Sequence, residues 1–385
     1  MLTGFLLILE RKAILYMPKA IINATIFTGC TIETDKAILV DGRTIEDIVP
    51  ISQIPAHYTI ENLQGLNLAP SFIDLQIYGG NGKMFSHELT VEALQCTYDY
   101  CLSGGCSHFM ITMATNSTEN YFRGIDAVQE YWEKGGEGVL GLHLEGPYLN
   151  PIKKGAHVER YMKKPALEDV QQLLNRRKGV VKMITIAPEL CDEKVVAYLL
   201  NQGIIVSAGH TNATYKEATD GFNKGLPAAT HLFNAMSPLQ HRQPGMVGAI
   251  YDHPTVMSSV VCDGVHVDYA VVRISKNILK ERLFFITDAV AEIREGEYQH
   301  HFKGDRYTLP DGTLSGSSLT MMQCVKNAVQ NVGIPLEESL RMASTYPAKL
   351  LEQHHKLGKI EKGYRASFVV FDNDLKIIRV FNGDS

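Results

Sequence analysis

Three residues of this 385-residue chain are of types that bind a catalytic metal: Glu145, His210 and His231. Each closes or lies in an apolar run. Glu145 ends Gly141-Leu-His-Leu-Glu145, His210 ends Ile204-Ile-Val-Ser-Ala-Gly-His210, and His231 lies in Ala228-Ala-Thr-His-Leu-Phe-Asn-Ala235. Taken singly, the carboxylate could be a helix cap or an ion-pair partner, and a lone histidine there is more often a hydrogen-bonded core residue. Together, two imidazoles and a carboxylate are one standard ligand set for a catalytic zinc, with water completing the coordination. Asp288 ends Phe284-Phe-Ile-Thr-Asp288. It reads either as a cap for the next segment or as a general base. A metal lowers the pKa of its water toward ~7, so a nearby carboxylate can take the proton and pass it to a leaving group. A second set is basic or hydrogen-bonding: Lys153, Lys154, His157, Asn234, Arg242 and His266. The two lysines read as solvated surface charges. Arg242, in the polar stretch His241-Arg-Gln-Pro-Gly245, suits bidentate phosphate recognition, though a loop arginine is by default a surface charge.

These residues lie far apart in sequence, so they gain meaning only if a fold gathers them. Short apolar runs recur at Ser71–Ile77, His108–Met113, Val139–Leu144, Val180–Ile186, Gly203–Ser207, Ala228–Leu232, Val256–Val261 and Leu283–Thr287. Helix-like stretches such as Glu168–Arg177 and Asp192–Asn201 separate most of them. That rhythm predicts an α/β fold, a (β/α)8 TIM-like barrel over 69–351. Such barrels hold their chemistry at the carboxyl ends of the strands. Here those ends carry Asp74/Gln76, Glu145, His210, His231/Asn234, Asp263/His266 and Asp288. Both chain ends are β-like instead: Ala20–Thr28, Ala37–Asp41 and Thr44–Ile48 at one, Ala366–Asp372 and Lys376–Phe381 at the other. Residues 17–68 and 352–385 are therefore expected to build one small β-sandwich domain, with 1–16 an extension outside the fold.

The formal net charge of −5 gives no global basic field, which argues against nucleic acid and means that any anionic ligand needs a local positive cluster. No apolar run approaches the ~20 residues that span a bilayer. The N-terminal apolar stretch lacks a basic leader and is cut by Glu10-Arg11-Lys12, against a signal peptide. Seven cysteines show neither a disulfide framework nor zinc-ribbon spacing, which fits a reducing cytoplasm. Cys96, Cys101 and Cys106 read as buried small apolar residues.

His143-Leu-Glu-Gly-Pro-Tyr148, Lys153-Lys-Gly-Ala156-His157, Ser207-Ala-Gly-His-Thr-Asn-Ala213, Thr230-His-Leu-Phe-Asn-Ala-Met236, Asp263-Gly-Val-His-Val-Asp268, Thr287-Asp288 and Leu314-Ser-Gly-Ser-Ser-Leu319 follow one another in order. With Pro70-Ser-Phe-Ile-Asp-Leu-Gln76 at the first strand, this ordered set resembles the N-acetylglucosamine-6-phosphate deacetylases of the amidohydrolase superfamily, from about residue 20 to the end. The resemblance implies a barrel with a small β-sandwich domain made from both termini. It implies hydrolysis of the N-acetyl group of N-acetylglucosamine 6-phosphate in amino-sugar catabolism. It makes Glu145, His210 and His231 the metal ligands and Asp288 the general base, then acid. His157 and His266 would position the sugar and help polarise the amide, beside Ala156. Asn234, the Ala235 backbone and Arg242 would hold the phosphate, and the loop Leu314, Ser315, Gly316 would line the sugar pocket. It also implies a homodimer in which Arg242 reaches the neighbouring subunit's site.

Two rivals are weighed against this. One is an amidohydrolase acting on another amide or N-acetyl sugar phosphate; the arginine loop and the Lys-Lys-Gly-Ala-His segment favour a phosphorylated amino sugar over an unphosphorylated amide such as a cyclic ureide or an N-acyl amino acid. A barrel that has lost catalysis would show eroded ligands, yet Glu145, His210, His231 and Asp288 are all present. One divalent metal per chain is expected. Many amidohydrolases carry His-x-His at the end of strand 1, whereas this chain has Gln76 and Tyr78 there. A neutral carboxamide and a phenol are weak zinc ligands. Lys182 lies too early on its strand to serve as a bridging lysine. Zinc suits the remaining set best, with iron, cobalt or manganese as substitutes.

Overall fold

Eight runs rich in apolar and β-branched residues lie side by side in the computed structural model, which describes residues 18–382. The strands are Phe72–Ile77, Cys106–Ala114, Val139–Glu145, Val181–Ile186, Ile205–Ala208, Ala228–Ala229, Met257–Val260 and Leu283–Phe285, paired in parallel in chain order. Nearly every residue in them is buried, because side chains fill the barrel inside and helices cover it outside. The helices start on recognisable signals. Thr90, Ser117, Asp268 and Thr320 each accept a first-turn backbone N–H, and Thr214 with Glu217 forms a capping box.

The barrel closes differently from the way it propagates. Its first and eighth strands share no ladder. They meet just beyond the eighth strand, through a bridge between Ile77 and Ala289 and the backbone bonds Asp288 N–H to Gln76 C=O (2.9 Å) and Tyr78 N–H to Ala289 C=O (2.9 Å).

Several expected elements differ in extent. The sixth strand is two residues long rather than Ala228–Leu232, since the chain turns sharply at His231 (φ 37°). The eighth ends at Phe285, so Thr287 and Asp288 lie past it. Ala20–Thr28 is not one strand: Asn23 (φ 55°) breaks it into Lys19–Ile22 and Thr25–Phe27, which join different sheets. After the eighth strand comes a three-stranded excursion, His301–Phe302, Arg306–Thr308 and Leu314–Ser317, outside the βα rhythm.

The chain ends supply two more sheets. One runs Thr44–Pro50, Lys36–Asp41, Lys19–Ile22, Thr59–Asn62; the other runs Ile377–Asn382, Ser367–Phe371, Asn67–Pro70, Thr25–Phe27, Ile32–Glu33. They share a core that includes Ile21, Ile26, Ile38, Leu68, Phe368 and Phe381, distinct from the barrel core. The stretch 1–16 lies outside the described residues. Cys101 and Cys106 are buried as expected but Cys96 is partly exposed, and all seven cysteines are free thiols. Among the described residues no helix is long and apolar enough to cross a membrane.

Candidate active site

The backbone is contorted where the strands end. His210 (φ 46°), His231 (φ 37°) and Asp288 (φ 53°) all occupy the left-handed region, as does Ala235 (φ 49°). A non-glycine residue there costs on the order of 1–3 kcal/mol and persists only where the surroundings over-determine it. Here the strain turns three side chains inward over the barrel.

Glu145, at the end of the third strand, is the hub. Its Oε1 lies 2.9 Å from His231 Nε2 and 3.3 Å from His210 Nε2, and its Oε2 lies 3.0 Å from His157 Nε2. The ligand atoms of Glu145, His157 and His210 all fall within 4.8 Å of one another, and His231 Nε2 adjoins them, 3.1 Å from His210 Nε2. Hydrogen bonding sorts two of the three imidazoles. The His210 Nδ1–H donates to the Lys153 carbonyl (2.8 Å), so its neutral ring presents a bare Nε2. His157 is the reverse. The fixed Thr115 N–H donates to its Nδ1 (3.2 Å), which puts the ring proton on Nε2. A bare nitrogen facing both a carboxylate oxygen and a second imidazole nitrogen is a repulsive arrangement that a cation relieves. The cluster could hold a divalent metal: Glu145, His157 and His210 each bring a ligand atom within reach of one ion and His231 Nε2 adjoins them, while the His157 proton sits on the nitrogen that faces the carboxylate.

Electrostatics follow from burial and these contacts. Burial pushes the Glu145 carboxyl up, but the His157 and His210 imidazoles outweigh it and hold it well below the usual range. Burial pushes the His210 imidazole down to about 4, reinforced by His157. Asp288 is pushed up to about 6, first by burial, against the pull of His231. Its Oδ1 accepts a hydrogen bond from Gln76 Nε2 (2.9 Å), and the same carboxamide donates to Glu145 Oε1 (3.1 Å). The Tyr78 hydroxyl donates to Glu145 Oε2.

One pocket takes in Glu145, His210, His231 and Asp288 together with Ala156, His157, Asn234, Ala235, His266 and the loop Leu314, Ser315, Gly316. A β-carbon at Gly316 would lie 2.6 Å from Val290 Cγ1 and 3.1 Å from the Asp288 carbonyl, so only glycine lets that loop press against the Asp288 turn. Arg242 is not brought in; it is exposed on its loop and does not line this pocket. The sequence reading placed Asp263 at a strand end but gave it no role. Asp263 accepts the His266 Nδ1–H and the backbone N–H groups of Val265 and His266, which fixes that ring; the Asp-x-x-His spacing was the available signal. It also missed an apolar wall that includes Met84, Ala114, Val290 and Tyr298. Met84, Val290 and Tyr298 lie outside the barrel strands, and nothing local marks them.

A parallel eight-stranded barrel with a carboxylate, imidazoles and an aspartate at its strand ends defines a hydrolase of the amidohydrolase type. The Amidohydrolase family pattern matches residues 67–385, and a NagA composite domain matches 19–68. An N-acetylglucosamine-6-phosphate deacetylase of Haemophilus influenzae is 38% identical over 379 residues, which cover 95% of this chain and 99% of that one. The crystal structure of the N-acetylglucosamine-6-phosphate deacetylase from Pasteurella multocida superposes with a TM-score of 0.91 at 37% identity, covering 95% and 98%. A Mycobacterium smegmatis mutant enzyme in complex with N-acetyl-D-glucosamine-6-phosphate gives 0.89 at 27% identity, covering 96% and 99%. The chain belongs to the N-acetylglucosamine-6-phosphate deacetylase family of the amidohydrolases.

Proposed function

We propose that this enzyme hydrolyses the N-acetyl group of N-acetylglucosamine 6-phosphate, releasing glucosamine 6-phosphate and acetate. The observation that carries this is the convergence of Glu145, His210, His231 and Asp288 on one pocket that is also lined by the hydrogen-bonding side chains of His157, Asn234, His266 and Ser315. The names of its relatives support the substrate. A divalent metal held by Glu145, His210 and His231, zinc best of all, would polarise the amide carbonyl and acidify a water. Asp288 takes the proton from the attacking water and returns it to the amine, which otherwise would leave as an unstable anion. Gln76 holds its carboxylate for that task. His157, with its proton on Nε2, donates to the carbonyl oxygen, and His266, fixed by Asp263, orients the sugar. Asn234, the Ala235 backbone and Arg242 take the phosphate. That group is remote from the broken bond, so its binding energy serves to fix the amide in place. The exposure of Arg242 outside its own pocket supports a homodimer in which it serves the neighbouring site. Seven free thiols support a cytoplasmic location.

Acetate release from N-acetylglucosamine 6-phosphate, compared with the unphosphorylated sugar, tests the assignment. Turnover should strongly favour the phosphorylated substrate. Equal rates, or none on either, would overturn it.

A further inference from the structure

Asp74 sits on the first barrel strand and is 1% exposed, yet no step above uses it. Its Oδ2 accepts the Thr287 hydroxyl. Its Oδ1 accepts the Thr287 N–H (3.3 Å) and the Gln76 N–H (3.1 Å). Those two partners flank the proton carrier assigned above. Thr287 immediately precedes Asp288, and Gln76 donates to the Asp288 carboxylate through its side chain while its carbonyl receives the Asp288 N–H. The contacts fall at the barrel seam, where the first and eighth strands have no ladder of their own. We propose that Asp74 is a positioning residue, whose buried carboxylate takes the place of the missing ladder and fixes Asp288 over the pocket.

Three features support this. When ionised, the carboxylate accepts only, and all three donors then point at it. None of its hydrogen-bond partners is a cation, and burial pushes its carboxyl up to about 7, so the group is a burden to folding that packing alone does not explain. Thr287 passes the constraint on: its hydroxyl accepts the Ala289 N–H (3.3 Å), and its carbonyl accepts the Ser317 hydroxyl. The residues on both sides of Asp288 are thus tied to one carboxylate. Asparagine would fill the same space but turn one acceptor into a donor facing the Thr287 hydroxyl, so the turn that carries Asp288 should shift.

The inference rests on Asp288 being the proton carrier, and the test separates the two. Steady-state kinetics of metal-loaded enzyme, with metal content checked, would compare Asp74→Asn, Thr287→Val and Thr287→Ser. Asp74→Asn and Thr287→Val should each lower kcat roughly ten- to a hundredfold, as a small misplacement of a reacting group does, with KM nearly unchanged. Thr287→Ser, which keeps the hydroxyl, should restore most of that loss. In an Asp288→Asn background, Asp74→Asn should cost less than about threefold more, because residues acting as a unit are not additive. A KM effect with kcat kept, a normal Thr287→Val, or full additivity with Asp288→Asn would overturn the role of Asp74. Near-normal turnover of Asp288→Asn alone would instead remove Asp288 from the chemistry and this role with it. If Asp74→Asn does not fold, the Thr287 pair decides the question.

Discussion

His210, His231 and Asp288 show what a sequence discloses about a residue and what it conceals. Their types and their places after apolar runs were legible. Their left-handed backbones were not, because nothing in the local sequence demands positive φ; tertiary contacts impose it. The carboxamide of Gln76, read only as a weak ligand, is a donor shared by Glu145 and Asp288. If Asp288 carries the proton, Asp288→Asn should keep fold and metal while turnover falls by orders of magnitude; a metal-loaded variant with near-normal turnover would contradict it. Asp74 makes a separate prediction about stability. Its folded pKa of about 7 lies above the unfolded value of ~3.9. The folded state therefore holds that proton more tightly. The contribution is whole below about pH 4 and is lost as pH rises through about 7, by an amount on the order of a few kcal/mol. Urea unfolding of metal-free protein should show wild type losing more stability than Asp74→Asn from low to neutral pH. Parallel curves for the two proteins would refute it.

At the scale of elements, the eight strands were legible because runs buried on both faces are continuously apolar. Their ends were less so, since the sixth and eighth strands stop where the chain bends toward the site. The excursion over 301–317 went unread: its strands are two to four residues long, too short for a period to declare itself. It nevertheless delivers Leu314, Ser315 and Gly316 to the pocket, which only the family resemblance anticipated. The first strand is where the expected metal count can be argued. Where two imidazoles would build a second position, Gln76 and Tyr78 instead spend their polar atoms on Glu145 and Asp288. One ion per chain should suffice. Metal titrated into stripped enzyme should bring activity to its plateau at one equivalent, and a plateau reached only at two would sink this count.

At the scale of the whole molecule, the net charge of −5 means that an anionic substrate depends on local positive groups, and Arg242 is the arginine assigned to the phosphate. Its position is the difficulty and the clue. The turn that presents it is held by reciprocal backbone bonds between Gln240 and Gln243 (3.1 and 3.2 Å), and Arg242 stands exposed at its tip, away from its own pocket. Beside it Leu239 is 51% exposed, an apolar side chain that a second subunit would cover. If Arg242 reads phosphate, Arg242→Ala should weaken the phosphorylated substrate about ten- to a hundredfold more than the unphosphorylated one, the effect of losing one charge-assisted contact. Equal losses on both sugars would remove it from phosphate recognition. Whether it acts across subunits is settled by mixing two impaired proteins and reading activity above the sum of the two parents. In a dimer of one Arg242→Ala chain and one Asp288→Asn chain, a shared site gives the first chain its own Asp288 and the second chain's Arg242. The other site loses both. About half the sites of each mixed dimer should then work, whereas an arginine serving its own chain would restore none. Absence of rescue in dimers confirmed to be mixed would return Arg242 to its own subunit.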